Sequence, residues 1–288
     1  REARMASQYG AGVFLNTVGT YDAVRITNKE YLNNVWHRFG FFAPLNILAD
    51  ASCARTCPTF SPGRPTNTAF LSAAHSLSCS SCGSLKRHNA VAYGPLADHF
   101  KSQDFDFIKE HTVLESFGKK AVDGLLRNPY LSSAQTALDV TITCPACPSY
   151  VSSAAAACNT RCTDAAEAAK HLKYDQIATT AGVLFSVAAF TTYGGWGSEF
   201  RNKYVEPFYK SELKEAKAKG LQLQGQRWRR LAVGGWEVLN RKSRFVRHVA
   251  AVICRENSRM LSNAARMRPA GSRVVARGRS SSSSDEEE

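Results

Sequence analysis

Apolar positions along the chain follow helical spacing in some stretches and strand-like spacing in others, which is typical of a mixed α/β protein. Thr27 and Glu30 form a capping box, and apolar residues then recur three and four positions apart until Gly40. This pattern predicts an amphipathic helix over residues 27–39. A second helix is predicted over residues 87–100, with its middle weakened by a Gly-Pro pair.

Three strand-like runs follow that helix, at residues 105–114, 121–126 and 136–143. An Ala-rich helix over 163–180 and a buried strand over 183–192 complete the order helix, strand, strand, strand, helix, strand. Because a helix crosses between the third and fourth strands, we expect at least one parallel pair in a sheet covered on both faces.

Positive charge is concentrated in the C-terminal part. The chain carries a net charge of +13, and residues 201–279 contain 20 Lys and Arg against 5 Asp and Glu. Such a segment, predicted to be helical to about Met267, attracts polyanions, and contacts with nucleic-acid phosphates are a common use of it. A solvated helical face is the alternative. The Ser-rich and acidic residues 280–288 predict a disordered end.

The two ends of the chain and its hydropathy give further expectations. No run of about 18 apolar residues occurs, so no membrane span is predicted. The chain begins with Arg1 and shows no leader, so we expect it to be a fragment of a longer polyprotein.

Eight of the nine cysteines fall in four close pairs, with Cys254 apart, which indicates metal binding in a reducing compartment rather than a disulfide scaffold. Cys53-x3-Cys57 followed by His75-x3-Cys79 offers four soft ligands for a tetrahedral Zn²⁺, with Cys82 competing for the last position. Unrelated buried thiols are the alternative. The later set, Cys144, Cys147, Cys158 and Cys162, is either a second zinc site or part of a variable loop.

Two acids interrupt apolar strands. Asp123 lies in the second predicted strand and Asp139 in the third. An ionised carboxylate is costly to bury unless it is paired or bound to metal. Two such groups on neighbouring strands predict a Mg²⁺ (or Mn²⁺) site for phosphodiester chemistry, and strand-end acids bonded to nearby amides are the alternative.

Basic and polar side chains could complete such a site. On the helix that follows, Lys170, Lys173 and Tyr174 have the spacing of one helical face, so a lysine could assist the attacking water, although a surface lysine pair is the plainer interpretation. For nucleic-acid contact the candidates are Arg87, His88 and Asn89 before the strands, and Arg227, Arg229 and Arg230 around Trp228, a residue that either stacks on a base or anchors the core. The Gly194-Gly195-Trp196-Gly197 string predicts a tight strand-to-helix turn.

Taken in order, these motifs resemble the restriction-like endonuclease at the C-terminal end of reverse-transcriptase proteins of site-specific non-LTR retrotransposons. The resemblance covers residues 53–196 and rests on the Cys and His set, Arg87-His88-Asn89, the two Asp-bearing strands, and Lys170 to Tyr174. It implies a PD-(D/E)XK nuclease core with Asp123 and Asp139 as metal ligands, Lys170 or Lys173 as the catalytic lysine, Tyr174 beside it, and Glu115 or Glu110 as accessory acid.

Two departures from that family's pattern stand in the sequence. Val122 replaces the Pro before the first acid, and Thr141 replaces the Lys that follows the second acid in the orthodox motif. The endonucleases that the chain resembles carry the lysine on the next helix, so the second departure agrees with them. The first weakens the match.

The expected organisation is a helical linker segment (1–45), a zinc-binding module (46–86), the endonuclease core (87–200), a basic helical region (201–268) and a disordered tail (269–288). We expect a nuclear enzyme that nicks target DNA for integration, with no small-molecule cofactor. Its expected partners are DNA, the element's RNA and a reverse transcriptase upstream in the same polyprotein. The alternatives are a catalytically inactive, zinc-containing nucleic-acid-binding module from a decayed element, and a protein-interaction module.

Overall fold

The computed structural model describes residues 26–38, 77–78, 83–109, 122–127, 135–145, 161–222 and 228–266. Its helices are α1 (Asn28–Arg38), α2 (Ser84–Val91), α3 (Ala97–Lys101), α4 (Arg161–Thr180), α5 (Ser198–Phe200), α6 (Glu206–Gln222) and α7 (Trp228–Arg266). Two π-helical turns, Ala92–Leu96 and Arg201–Val205, join α2 to α3 and α5 to α6. The strands are β1 (Asp106–Lys109), β2 (Gly124–Arg127), β3 (Gln135–Thr143) and β4 (Leu184–Thr191).

Local sequence signals explain several of these boundaries. The predicted capping box opens α1: the Thr27 amide donates to Glu30 Oε2 at 2.7 Å, and the Glu30 amide donates to Thr27 Oγ1 at 3.2 Å. The predicted weak point of the second helix is also confirmed. Gly94 has non-helical dihedrals (φ −103°, ψ −106°), and with Pro95 it lies in the π-helical turn between α2 and α3.

The four strands form one mixed sheet in the order β1-β2-β3-β4. β1 pairs with β2, and β2 with β3, in antiparallel orientation. β3 and β4 are parallel and are linked by α4, as the sequence predicts. The chain is therefore a mixed α/β protein, and the order helix, strand, strand, strand, helix, strand agrees with the expectation for the residues described.

Helices cover both faces of this sheet. On one face, α4 packs through Tyr174 and Ala178 onto Ala137, Val187 and Phe185. On the other, residues of α2, α3, α5, α6 and α7 share one core with the opposite side chains of the strands. The basic segment that begins at residue 201 therefore contributes to the same hydrophobic core as the sheet.

The longest helix, α7, also holds α1. Asn34 Nδ2 donates to the Cys254 carbonyl at 2.7 Å, and Asn33 Nδ2 donates to Ser258 Oγ at the same distance. These polar groups are buried and paired, so they fix the position of α1 on α7. In the part of the chain that the structure describes, no helix has the length and apolar character needed to cross a membrane.

Candidate active site

Asp139 lies at the centre of β3 with 4% of its surface exposed. Side chains alternate between the two faces along the strand. Ala137, two residues before Asp139, packs under α4, whereas Leu138 and Val140 belong to the core on the other face. Asp139 therefore points from the sheet toward α4.

Asp123 lies immediately before the first residue of β2, the strand that neighbours β3. β2 begins at Gly124, so Asp123 precedes the strand instead of lying within it as the sequence suggested. Gly124 pairs with Leu138, and one step further in this antiparallel register Asp123 stands across from Asp139. The Val140 amide donates to Asp123 Oδ2 at 2.6 Å, which fixes the carboxylate at this place.

His88 reaches the same carboxylate from α2, on the opposite side of the sheet from α4. Its Nε2 lies 3.1 Å from Asp123 Oδ2 and 2.9 Å from the Val140 carbonyl oxygen. Its Nδ1 lies 3.0 Å from Asn89 Oδ1. Both ring nitrogens thus face oxygen acceptors, an arrangement that suits the doubly protonated imidazolium.

Lys170 of α4 pairs with Asp139, with the ammonium nitrogen 2.7 Å from Oδ2. Lys173 is directed differently: its Nζ donates to Tyr174 Oη at 2.8 Å and lies 4.5 Å from the centre of that ring. Tyr174 is buried between α4 and the sheet. The geometry therefore joins Lys170 to the acids and leaves Lys173 beside Tyr174. We call His88, Asp123, Asp139 and Lys170 the acid cluster.

Neighbouring charges within the acid cluster shift the pKa values of Asp139 and His88. Burial raises the pKa of Asp139 above its ordinary value, and the Asp123 carboxylate adds to this, whereas Lys170 and His88 oppose it. For His88, burial lowers the pKa, but the hydrogen bond and charge of Asp123 outweigh it and bring the pKa to about 9. Two basic side chains, His88 and Lys170, thus face Asp123 and Asp139 in a largely buried site.

A divalent metal fits the donor set of this cluster. Carboxylate oxygens are the ligands that Mg²⁺ and Mn²⁺ prefer, and Mg²⁺ is usually held by one or two carboxylates with water and substrate phosphate as the other ligands. Two protein carboxylates, Asp123 and Asp139, meet that requirement. Within the described residues no group of three or more His, Cys, Asp and Glu side chains is arranged to hold a metal, so no site formed by protein ligands alone is found there.

Arg87, His88 and Asn89, which the sequence suggests for nucleic-acid contact, have different surroundings in the structure. Arg87 is 1% exposed; Nη1 donates to Asn257 Oδ1 at 2.9 Å, and Nη2 donates to the Leu77 carbonyl at 2.8 Å. Its side chain therefore ties α2 to α7 and does not reach the surface. His88 belongs to the acid cluster, and Asn89 supports His88.

The other predicted site residues lie mainly outside the described part. This holds for the accessory acids Glu110 and Glu115, for Arg227, and for all four proposed zinc ligands, Cys53, Cys57, His75 and Cys79. Arg229 and Arg230 are in the first turn of α7, but their side chains are not among those described. Of the second cysteine set, Cys144 and Cys162 are buried thiols, and Cys147 and Cys158 lie outside.

Comparison with known proteins identifies no relative: no family model matches the chain, and no curated protein matches it. The resemblance to restriction-like endonucleases therefore remains a prediction.

The link between His88 and Asp123 was missed by the sequence reasoning, which assigned His88 to nucleic-acid contact. The two residues are far apart in the chain and meet because α2 packs on β3 beside the start of β2. The one signal in the sequence was the position of His88 at a predicted helix start just before the acid-bearing strands. The support that Asp123 receives from the Val140 amide has no signature in the side chains.

Proposed function

We propose that this chain is a metal-dependent endonuclease that hydrolyses phosphodiester bonds in DNA. The observation that carries the proposal is the meeting of Asp123 and Asp139 from adjacent positions of the sheet with Lys170 from the crossing helix. Two carboxylates can hold a metal ion that polarises a phosphoryl oxygen, and a lysine beside them can stabilise the charge that develops on the phosphate. They are also the residues that the resemblance to restriction-like endonucleases would assign to catalysis.

Asp123 and Asp139 would hold the Mg²⁺ or Mn²⁺ ion through their oxygens. Asp139 is buried at the centre of β3, where an ionised carboxylate needs a cation beside it, and a bound metal ion would supply one in addition to Lys170. The bound ion would polarise the phosphoryl group and lower the pKa of a coordinated water. His88 and the Val140 amide position Asp123 by bonding the same carboxylate oxygen.

Lys170 is the side chain assigned to the reacting phosphate. Its ammonium is already within 2.7 Å of Asp139 and is partly exposed, with 30% of its side chain accessible. A cation in this position can orient the attacking water and stabilise the negative charge that builds on the phosphate. Tyr174 and Lys173 are assigned a supporting part, since Tyr174 packs α4 onto the sheet and Lys173 bonds to its hydroxyl.

The wider assignments follow from the resemblance and the charge distribution. We propose that the enzyme nicks target DNA for integration of a non-LTR retrotransposon, in the nucleus and beside a reverse transcriptase domain. The zinc module, with Cys53, Cys57, His75 and Cys79, would bind DNA or the element's RNA. Exposed cations of α6 and α7, among them Lys210, Lys214 and Arg244, would contact phosphates.

The proposal is tested by incubating supercoiled plasmid with the purified chain and Mg²⁺, with EDTA as the metal-free control. Asp139→Ala removes a proposed metal ligand, and Asp106→Asn, an exposed acid on β1, is the matched control. Metal-dependent nicking that is lost in Asp139→Ala and kept in Asp106→Asn supports the proposal. DNA binding without cutting by the wild type at several metals and salt concentrations would favour the inactive nucleic-acid-binding module.

A further inference from the structure

A cavity of about 220 Å³ lies between α3, α6 and α7 and opens to solvent. No residue of the acid cluster lines it. Its volume is that of about seven water molecules, which is enough for one small planar ligand. Its walls and its rim differ in chemistry, and together they restrict what the ligand can be.

Five aromatic rings line the cavity: His99, Phe208, Tyr209, Phe245 and His248. His99 is stacked on Phe245 with the ring centres 3.8 Å apart and the planes 5° from parallel. Phe208 meets His99 edge-on at 5.9 Å, and Tyr209 lies 5.7 Å from it. Because His99 is 3% exposed and burial lowers its pKa to about 3, it is uncharged at neutral pH. The walls therefore suit a flat, uncharged ring.

The rim carries charges of both signs. Arg241 and Arg244 project from α7, and Glu212 and Asp98 face them from α6 and α3. Arg241 Nη2 donates to Glu212 Oε1 at 2.8 Å. The rim therefore offers hydrogen-bond donors and acceptors together and is not built from charges of one sign. Mixed donors and acceptors around an aromatic pocket fit a neutral heterocycle with a polar edge.

We propose that this cavity receives one unstacked nucleobase, with the attached sugar and phosphate outside on the cationic face of α7. The base would lie against Phe208 and Tyr209, and its polar edge would meet the charges of the rim. Arg244 is exposed and Arg241 has 56% of its side chain accessible, so both can contact a phosphate at the mouth of the cavity. This inference goes beyond the proposed cleavage and does not depend on it. The base belongs either to a single strand or to a free nucleotide.

The test measures binding to the purified chain in EDTA, so that cleavage plays no part. Fluorescence anisotropy is recorded with a labelled 12-nucleotide single strand and with an abasic strand of equal length, which has the same phosphates without bases. The wild type is expected to prefer the strand with bases by about tenfold, the loss that follows when one stacked base is removed. Equal binding of the two strands, or no binding at low salt, would overturn the proposal.

Two variants test whether the preference for the strand with bases arises at this cavity. Phe208→Leu keeps bulk and removes a ring, and Ser102→Phe fills the cavity from an exposed lining position. Both are expected to abolish the preference for bases, with circular dichroism checking the fold. Arg259→Gln, which removes an α7 cation outside the cavity, is expected to retain it. A preference that survives in both Phe208→Leu and Ser102→Phe would place the stacking elsewhere and reject the proposal.

Competition distinguishes the two sources of the base. AMP, GMP, CMP and TMP are added separately to the complex of the wild type with the labelled strand. Displacement by a mononucleotide at micromolar concentration identifies a free nucleotide as the ligand, and displacement by unlabelled single strand alone identifies a base within a strand. A failure of plasmid nicking would leave every one of these results unchanged, so the two proposals fail separately.

Discussion

Lys170 of α4 and Asp139 of β3 form an ion pair of 2.7 Å across the interface between the crossing helix and the sheet. Asp139 has 6% of its side chain exposed, whereas Lys170 has 30%. The pair thus has one end in the sheet and one end that solvent or a substrate can reach.

The first prediction separates the two lysines of α4. Lys170→Ala is expected to lower the rate of plasmid nicking by at least about 100-fold, because a charge-stabilising or proton-handling group next to the acids is lost. Lys173→Ala, its matched control one helical turn away, is expected to change the rate by less than about tenfold, since Lys173 contacts Tyr174. Equal losses in the two variants, measured in single-turnover assays, would contradict the assignment.

The second prediction concerns Arg87, which the sequence suggested for nucleic-acid contact. Arg87→Met leaves the buried acceptors of Asn257 and Leu77 without their donor and is expected to lower the free energy of unfolding by about 2–4 kcal/mol. DNA affinity of the folded variant, and its dependence on salt, should stay near the wild type. Lys86→Met, at an exposed position of the same helix, should change stability by less than about 0.5 kcal/mol. A large loss of affinity without a loss of stability would assign Arg87 to DNA binding instead.

The third prediction is a dependence of stability on pH set by His99. Its folded pKa of about 3 is below the unfolded value of 6.5, so its stabilising contribution is complete above pH 6.5 and is lost as the pH falls toward 3. The contribution to the slope is at most about 1.4 kcal/mol per pH unit. Urea denaturation from pH 7 to pH 4 should show a weaker acid sensitivity in His99→Phe than in the wild type.

His171 serves as a control for that experiment, because its contribution to stability changes with pH in the opposite direction. Burial lowers its pKa, but hydrogen bonds and charges from Glu199 and Asp175 outweigh this and the pKa is raised. Its contribution is therefore present below pH 6.5 and is lost as the pH rises, so His171→Gln should lose most stability at acid pH. Parallel pH profiles for the wild type and His99→Phe would refute the role given to His99.

The fourth prediction tests the close approach of Gly197 to α4. A Cβ at this position would collide with Glu167 Oε1 and would lie 3.0 Å from Ala189 Cβ. Glu167 Oε1 accepts a hydrogen bond from the Glu199 amide at 3.2 Å, so moving the carboxylate aside breaks a contact at the start of α5. Gly197→Ala is expected to cost about 1–2 kcal/mol of unfolding free energy. The double variant Gly197→Ala with Glu167→Ala should lose less unfolding free energy than the sum of the losses in the two single variants. A loss equal to that sum would argue against the steric explanation.

Much of the fold could be predicted from local patterns. The capping box of Thr27 and Glu30, the Ala-rich run of α4 and the apolar strand after it are signals within a few residues of the structure they specify. A crossing helix between two strands then implies a parallel pair, because the chain must return across the sheet. The Gly194 to Gly197 turn into α5 follows from the same kind of local signal.

The site could be predicted only in part, because its contacts join distant segments. Asp139 in an apolar strand was visible in the sequence, but spacing alone could not choose between Lys170 and Lys173. The burial of Arg87 depends on Asn257 of α7, which no periodicity on α2 reveals. The cavity between α3, α6 and α7 exists only once three helices pack together, so its lining has no common sequence motif.

A metal centre formed by Asp123 and Asp139 is tested most directly by the rate of cutting after DNA is already bound. The wild type, Asp123→Asn and the control Asp106→Asn are each mixed with supercoiled plasmid in EDTA, and excess Mg²⁺ then starts the reaction. Nicking that begins on addition of Mg²⁺ in the wild type and in Asp106→Asn, but is at least about 100-fold slower in Asp123→Asn despite equal DNA binding, is the predicted result. Nicking at the wild-type rate in Asp123→Asn, or nicking in EDTA before Mg²⁺ is added, would contradict a metal centre formed by Asp123 and Asp139.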